Sequence, residues 1–382
     1  MSEKIKPLLS IVIPTKNRYS TLFPVVTSIL KNINSDQLEI IIQDNSDSNA
    51  SACLFFESNI DQRLKYFYIP NSLSITDNTI IATENSSGKY LIFIGDDDII
   101  APNIIEFVQL LDEKGGGCLI FNPAFYWWDS VSFTKESYYH RKTAMWVPQK
   151  ISLELEKLSS KEELDFMLKN GAGGYFKLPR YYHGIVEKKI LEDIKIKTGT
   201  YLSGTSPDIA FATSIALVVE NYYYLDYPLS VYGASRHSGG GMTANKKHFG
   251  KIENQKFLPE NILEKWDSRI PKIWSERTIY PQTVTEVLKA FKSDLSIDYI
   301  VFYAAMMAYE PYLFKYLKPV LWAHLIKEPK SFFKFFFVYI KKMAGIYYRK
   351  LLVYKKKFGY DVTLKSEIDQ VMVFLGEIKN NN

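Results

Sequence analysis

The chain has 382 residues, 47% hydrophobic and 23% charged, which places it among ordinary globular proteins of two or three domains and excludes a disordered or collagen-like chain. Its net charge of +5 is local: Lys330–Lys357 holds nine Lys or Arg and no acid, while the remainder carries 38 bases against 42 acids, net −4. That asymmetry argues against a nucleic-acid-coating protein and marks one basic surface, aromatic as well, since the same segment holds nine Phe or Tyr.

Cys53 and Cys118 form neither a disulfide framework nor a metal-ligand spacing, which suits a reducing compartment. The amino terminus, MSEKIKPLLSIVIP, has no apolar run long enough for a signal peptide. The longest uncharged apolar stretches, Ile209–Val219 and Tyr299–Tyr309, have eleven residues each. That is short of the roughly 18 needed to span a bilayer. The expectation is a cytoplasmic protein, not an integral membrane one, that is free to sit on the inner face of the cell membrane.

Leu9–Ile13 reads as a buried strand, and Ser20–Ile33 as a helix with Leu22, Val25, Val26, Ile29, Leu30 and Ile33 on one side. Next in the chain are a strand at Leu38–Ile42, a helix near Ala50–Asn59, a strand at Leu64–Ile69 and a helix near Ile75–Glu84. A strand at Tyr90–Ile94 runs directly into Gly95-Asp96-Asp97-Asp98; a helix containing Ile104, Ile105, Val108 and Leu111 and a strand at Cys118–Phe121 complete the series. Strands alternating with helices in this way predict an α/β sheet covered on both faces.

Beyond Phe125 the alternation fades. Phe125–Tyr139 reads as irregular or antiparallel strand, and helices are expected at Lys161–Lys169, Glu187–Lys197 and Pro207–Val218. Tyr222–Tyr232 reads as an edge strand, Ser238–Gly241 as a mobile loop at a domain boundary, and everything from about Asn245 as an all-α region.

In an open α/β sheet, ligands bind beyond the carboxyl ends of the strands. Three polar clusters lie there: Pro14-Thr15-Lys16-Asn17-Arg18, Asp44-Asn45-Ser46-Asp47 and Asp96-Asp97-Asp98. Adjacent carboxylates repel one another, so the triplet calls for a compensating cation, and hard oxygen ligands favour Mg²⁺ or Mn²⁺. A solvated acidic turn is the plainer alternative. No Walker sequence or G-x-G-x-x-G follows the first strand, so a nucleotide would be held through base, ribose and metal. Asp44 can accept from a base N–H or a ribose hydroxyl, with Thr15 and Arg18 beside it; a simple turn role is the other reading.

LLSIVIPTKNR, EIIIQDNSD and KYLIFIGDDDIIAP, in that order, resemble the family 2 glycosyltransferases. The resemblance covers about residues 8–125 well and extends loosely to about 242. It implies a GT-A, Rossmann-like transferase domain at 1–244, with a nucleotide part at about 8–125 and an acceptor part at about 126–244, and then the all-α region 245–382. It also implies inverting transfer of a sugar from a nucleotide-diphosphate donor, by analogy a UDP-sugar, to a saccharide or lipid-linked saccharide in bacterial surface polysaccharide synthesis.

By the same resemblance Asp44 contacts the donor base, with Pro14, Thr15, Asn17, Arg18, Asn45 and Asn78 around the donor. A D-x-D motif binds ribose and the metal-bound diphosphate. Asp96 and Asp98 meet that pattern; an alternative alignment uses Asp97 and Asp98, because Gly95 stands where a common family form has its first aspartate. The metal set is read as Asp98, Asp96 and His237, with Asp97 on the donor. Asp208, opening a helix after Ser206-Pro207, falls at the family's general base, and a helix N-terminus is expected to lower its pKa. Either Asp208 or His237 also has a bland reading, as a helix-stabilising acid and a surface histidine.

Trp127, Trp128, Tyr181 and Tyr182 offer aromatic faces for an acceptor sugar, or simply core packing. Helical projection of 330–357 sets Lys330, Lys334, Lys341, Arg349, Lys355 and Lys356 on one arc and Phe332, Phe335, Phe336, Tyr339, Ile346, Tyr347 and Tyr354 largely opposite. That pattern fits an anionic membrane surface or a core-facing stripe with a solvated back. Two rival functions remain: a nucleotidyltransferase, disfavoured because Thr15–Arg18 has no glycine, and a non-catalytic membrane-associated scaffold.

Overall fold

The computed structural model describes residues 6–133, 135–244, 249–255, 258 and 261–380. Its first part is the alternation expected: β1 (Leu9–Thr15), α1 (Tyr19–Asn32), β2 (Leu38–Asp44), α2 (Ala50–Ser58), β3 (Leu64–Tyr68), α3 (Ile75–Glu84) and β4 (Tyr90–Phe93). These strands pair in parallel in the order β3-β2-β1-β4. Every residue of β2 is buried, as a parallel strand covered on both faces requires. The register sets Thr15 opposite Asp44, and Val12 opposite Phe93. The three polar clusters therefore emerge side by side at one sheet edge.

Next come β5 (Ile99–Ile100), α4 (Ile104–Glu113), β6 (Cys118–Phe121), β7 (Ala124–Trp127), β8 (Ala144–Pro148), β9 (Leu155–Ser159) and α5 (Ser160–Lys169). After them stand β10 (Gly184–Glu187), α6 (Lys188–Thr198), α7 (Pro207–Ala216), β11 (Asn221–Leu225), β12 (Ser230–Ala234) and α8 (Gly239–Ala244). The large sheet has eight strands, β3-β2-β1-β4-β10-β6-β11-β9, with β10 inserted antiparallel between β4 and β6. A second sheet, β15-β8-β7-β12-β5, includes a strand from near the carboxyl end, β15 (Tyr360–Leu364). Asp98 sits where the chain leaves the first sheet through β4 and enters the second through β5.

Two expectations are corrected here. Tyr222–Tyr232 is not one edge strand: a turn containing Pro228, which has no N–H to give a ladder, splits it into β11, inside the large sheet, and β12, inside the second. Ser238–Gly241 is not a loose loop but the start of α8, because the Ser238 hydroxyl accepts from the N–H of Gly241 at 3.2 Å. Gly241 is required there: a Cβ would stand 1.9 Å from the Ser235 carbonyl oxygen.

The expected boundary residue, Asn245, lies outside the described residues. The chain beyond it is mostly helical: β13 (Phe249–Gly250), α9 (Ile262–Lys265), β14 (Trp274–Ser275), α10 (Glu276–Ala290), α11 (Tyr299–Tyr309), α12 (Phe314–Lys327), α13 (Ser331–Tyr354), β15 and α14 (Ile368–Asn380). Nine of the eleven residues of α11 are buried, as an all-round apolar helix demands. The region is not purely α, however. β13 pairs with β14, and β15 adds to β8 antiparallel, its Val362 opposite Trp146. Ile368, Val371, Met372 and Leu375 of α14 lie in the same core as β1 and α1. Among the described residues, no helix is long and apolar enough to cross a membrane.

Candidate active site

The site grows from the end of β4. Asp96, Asp97 and Asp98 are each no more than 3% exposed. The Asp96 carboxylate accepts from the Thr15 hydroxyl at 2.7 Å and pairs with the Arg18 guanidinium at 2.8 Å. Arg18 reaches Asp97 with its other nitrogen, also at 2.8 Å. The second Asp97 oxygen accepts from the Ser235 N–H at 2.9 Å, and the Asp97 carbonyl from the Trp128 indole at 2.8 Å.

Asp98 is bound differently. One oxygen accepts from the Gly233 N–H at 2.7 Å; the other meets the Gly95 N–H at 2.6 Å and both the Tyr182 hydroxyl and His183 Nε2 at 2.9 Å. His183 Nδ1 bonds the Ser230 hydroxyl. Segment 181–183 lies along the end of β4, with Phe93 donating to the Tyr181 carbonyl and His183 donating back to Phe93. His183 is fully buried at φ +51°, a left-handed conformation that non-glycine residues hold only when their surroundings enforce it.

Three buried carboxylates thus face one guanidinium and one imidazole. Burial, with Asp97 and Asp98 nearby, pushes Asp96 up to about 7 in spite of Arg18. Burial and Asp98 raise Asp97 as well. For Asp98 burial works the same way, but His183 and the N–H groups of Gly233 and Gly95 outweigh it and hold the carboxyl below its ordinary value. Asp98 is therefore an anchor held by four partners, whereas Asp96 and Asp97 share the single Arg18 guanidinium as their cation.

This bears on the expected metal set. Asp98 has little left to offer an ion. His237 is exposed in the turn between β12 and α8, and the histidine at the cluster is His183. Among the described residues, no three His, Cys, Asp or Glu side chains stand grouped to hold a metal. The hard oxygens of Asp96 and Asp97 do fit a divalent cation that completes its shell with phosphate oxygens; Arg18 fills that electrostatic role here.

Around the donor side, Asp44 is buried and accepts from the Tyr19 and Tyr66 hydroxyls, at 2.6 and 2.7 Å, and from the Ser46 N–H at 2.8 Å. Burial and Asp44 push Tyr19 up to about 12. Asn45 uses its whole amide, accepting from the Leu73 N–H and Lys16 and donating to the carbonyls of Ile69 and Asn71. Asn17 bridges to Asp47 through both amide atoms. Asn45 and Asn17 are thus loop braces, and Pro14 is part of β1. Asn78 on α3 is buried with its Oδ1 lacking a hydrogen-bond partner.

The aromatic acceptor candidates mostly fail. Trp127, Trp128 and Tyr181 are buried, and stacking a sugar needs an open ring face. Trp127 packs in a small cluster with Val131, Tyr181 packs between the rings of Phe93 and Phe211, and Trp128 and Tyr182 meet the aspartate cluster through the indole N–H and the hydroxyl.

Asp208 is the second residue of α7 and is partly buried. It accepts from the Tyr280 hydroxyl of α10 and from Ser206, each at 3.2 Å. Burial outweighs these bonds and its helix-end position, so its carboxyl lies above the ordinary aspartate value, opposite to the sequence expectation. Its charge is felt by His183, Tyr182 and Tyr175. Tyr175 and Tyr232 bond through their hydroxyls at 2.7 Å, and the Tyr232 ring lies 3.8 Å from that of His183. Tyr182, Tyr232 and Tyr175 border the aspartate cluster, and Tyr280 bonds Asp208. Sequence reasoning missed Tyr175, Tyr232, Tyr280 and His183, since none belongs to a motif; the one available signal was that His183 directly follows Tyr182.

A groove of about 1050 Å³ bounded by Leu8, Gln37, Lys89 and Glu187 lies at the opposite, amino-terminal edge of the parallel strands and has no part in this site. The closest fit in the site is instead at Gly233, where a Cβ would stand 1.6 Å from the Asp97 carbonyl oxygen. Gly233→Ala is expected to displace that carbonyl and break the N–H bond to Asp98, lowering donor affinity by a factor of about 10 or more. Calorimetry with UDP measures this, and wild-type affinity would contradict it.

Residues 10–168 match the family model described as glycosyl transferase family 2. Over 268 residues, 67% of this chain and 75% of the relative, the sequence is 24% identical to the GalNAc(5)-diNAcBac-PP-undecaprenol beta-1,3-glucosyltransferase of Campylobacter jejuni. It is 31% identical over 119 residues to an uncharacterized protein, y4gI, of Sinorhizobium fredii, covering 30% of this chain and 13% of that protein. Among solved structures, S. aureus TarS 1-349 in complex with UDP-GlcNAc aligns with a TM-score of 0.44 at 15% identity, over 62% of this chain and 60% of that one, less than two thirds of its length. The mixed α/β core with its strand-end aspartates includes the segment that the family 2 glycosyl transferase model matches. Residues 10–168 form a domain that matches the family 2 glycosyltransferases.

Proposed function

We propose that the protein is an inverting glycosyltransferase that moves a sugar from a nucleotide-diphosphate donor, a UDP-sugar, to a hydroxyl of a saccharide or lipid-linked saccharide in bacterial surface polysaccharide synthesis. The observation that carries this reading is the placement of Asp208. It is a partly buried carboxylate that burial holds above the ordinary aspartate value, bonded by Tyr280 and Ser206, and its charge is felt by Tyr182, which bonds the buried Asp98 at the sheet edge. In-line displacement needs a base on the attacking side and positive charge on the leaving side, which Arg18 and a cation held by the aspartates would supply.

Asp208 would take the acceptor hydroxyl proton, steadied by Tyr280 and Ser206. Asp44 would meet the base through its less-used oxygen, while Thr15 and Arg18 hold Asp96. Asp96 and Asp97 would hold Mn²⁺ or Mg²⁺, which when bound offsets charge on the departing diphosphate. The lipid-linked acceptor is supported by likeness to the Campylobacter jejuni glucosyltransferase, whose name specifies an undecaprenol-linked saccharide.

A panel of UDP-, GDP- and dTDP-sugars, with release of the nucleoside diphosphate and anomeric configuration as readouts, tests this. UDP release with inversion is expected. Pyrophosphate release would favour nucleotidyl transfer, and release of neither would favour a scaffold; either result would overturn the proposal.

A further inference from the structure

The segment Lys330–Lys357 forms the body of α13, and its burial pattern decides between the two sequence readings. Phe335 is buried against α11, with Val338 and Tyr339 beside it in the same core. At about 100° per residue, Phe333, Phe336, Phe337, Ile340, Tyr347 and Leu351 fall within an arc of about 100° turned away from Phe335. All six are exposed, Phe333 and Phe337 by nearly 70%. The aromatic face is therefore split: one narrow stripe packs inward, and a broader one faces out, uncovered by any of the described residues. Exposed Lys330, Lys341 and Lys355 run along one edge of the outward stripe.

The preceding helix repeats the pattern. Leu317 and Leu321 of α12 enter the core, while Phe314, Lys315, Lys318, Trp322 and Ile326 are exposed on one stripe, with Ile326 at 76%. Both helices pack on α11. Apolar residues in this number, unpaired on the surface and interleaved with lysines, mark an interaction surface.

We infer that the outward stripes of α12 and α13 seat the protein on an anionic phospholipid bilayer, lying in the interface without crossing it. Charge selects this occupant: no acid occurs from 330 to 357, so the face would repel a second copy of itself but is drawn to anionic headgroups. Dimensions agree, since 24 helical residues give a contact about 36 Å long. Near the end of α13, Arg349, Lys350 and Lys356 rim a groove of about 660 Å³ walled by Tyr138, Tyr139, Ile346, Val353 and Tyr354, an apolar cleft with a cationic lip suited to a lipid phosphate. The inference deepens the lipid-linked-acceptor reading and rests on it for its purpose, but lipid binding itself needs neither donor nor acceptor.

The test is flotation of the full-length protein on phosphatidylcholine vesicles with and without phosphatidylglycerol. Wild type is expected to float with the anionic vesicles, and Phe333→Ser/Phe337→Ser/Ile340→Ser to lose at least about tenfold in partitioning. Because those side chains are exposed, the variant should keep its unfolding midpoint and its UDP affinity, which separates lost seating from lost folding. Equal flotation of both proteins would overturn the inference. So would absence of wild-type flotation, or a wild-type dimer by ultracentrifugation that the triple variant abolishes and vesicles do not dissociate. Flotation without any transferase activity would leave the seating intact and remove only the catalytic reading.

Discussion

Asp208→Asn is expected to lower turnover by a factor of about 10² or more while leaving donor affinity within about twofold. An amide has nearly the shape of the carboxylate but cannot take the acceptor proton. The electrostatics add a sharper version. Burial sets the Asp208 carboxyl above the usual aspartate value of 3.8, and the Tyr280 hydroxyl pulls it part of the way back. The protonated form is inactive as a base, so the rate should rise with pH through a midpoint above that ordinary value. Tyr280→Phe removes a bond that favours the charged form, so its acid limb should move to higher pH. Pre-steady-state turnover across pH checks both. Undiminished turnover in Asp208→Asn would remove it as base.

The second large effect separates aspartates that are neighbours in sequence. Asp98→Ala strips the partner from His183, Tyr182 and two backbone N–H groups at once, and should cost on the order of 3–5 kcal/mol of stability, seen as a lower unfolding midpoint. Asp96→Asn should keep the fold and lose Mn²⁺-dependent UDP binding by about 10² or more. Its stability has a definite sign with pH. A carboxyl raised to about 7 favours the folded state below its unfolded value, and that contribution is lost as pH rises through 7. The variant should therefore gain on the wild type between about pH 4 and pH 8. If Asp98→Ala bound UDP normally and Asp96→Asn unfolded, these roles would be reversed.

The sequence exposes the parallel half of the sheet well because β1, β2 and β4 are buried on both faces and read as largely apolar runs, while β3 is half-buried. Leu38–Ile42 and Cys118–Phe121 are clear for that reason, and the clusters at Thr15, Asp44 and Asp96 follow from strand polarity alone. Residues set by long-range pairing are not legible in the same way. That Asp98 is an anchor depends on Gly233 and His183, both far along the chain, and no local pattern brings them to it. Tyr280 enters the site from a helix that composition alone assigns to a separate region. The aromatic stripe of α13 is visible in the sequence, but which aromatics turn inward depends on how α11 presents its surface.

The return of the carboxyl end has a consequence for biosynthesis. Met372 lies against Ser28, Asp369 pairs with Lys31, and Tyr126 and Tyr227 donate to the carbonyls of Lys365 and Leu375. Helix α1 thus receives part of its covering from residues about 340 positions further along the chain. A ribosome-bound nascent chain holds that apolar surface open until Met372 and its neighbours have emerged, so competence for chemistry should arrive late and abruptly instead of building up domain by domain.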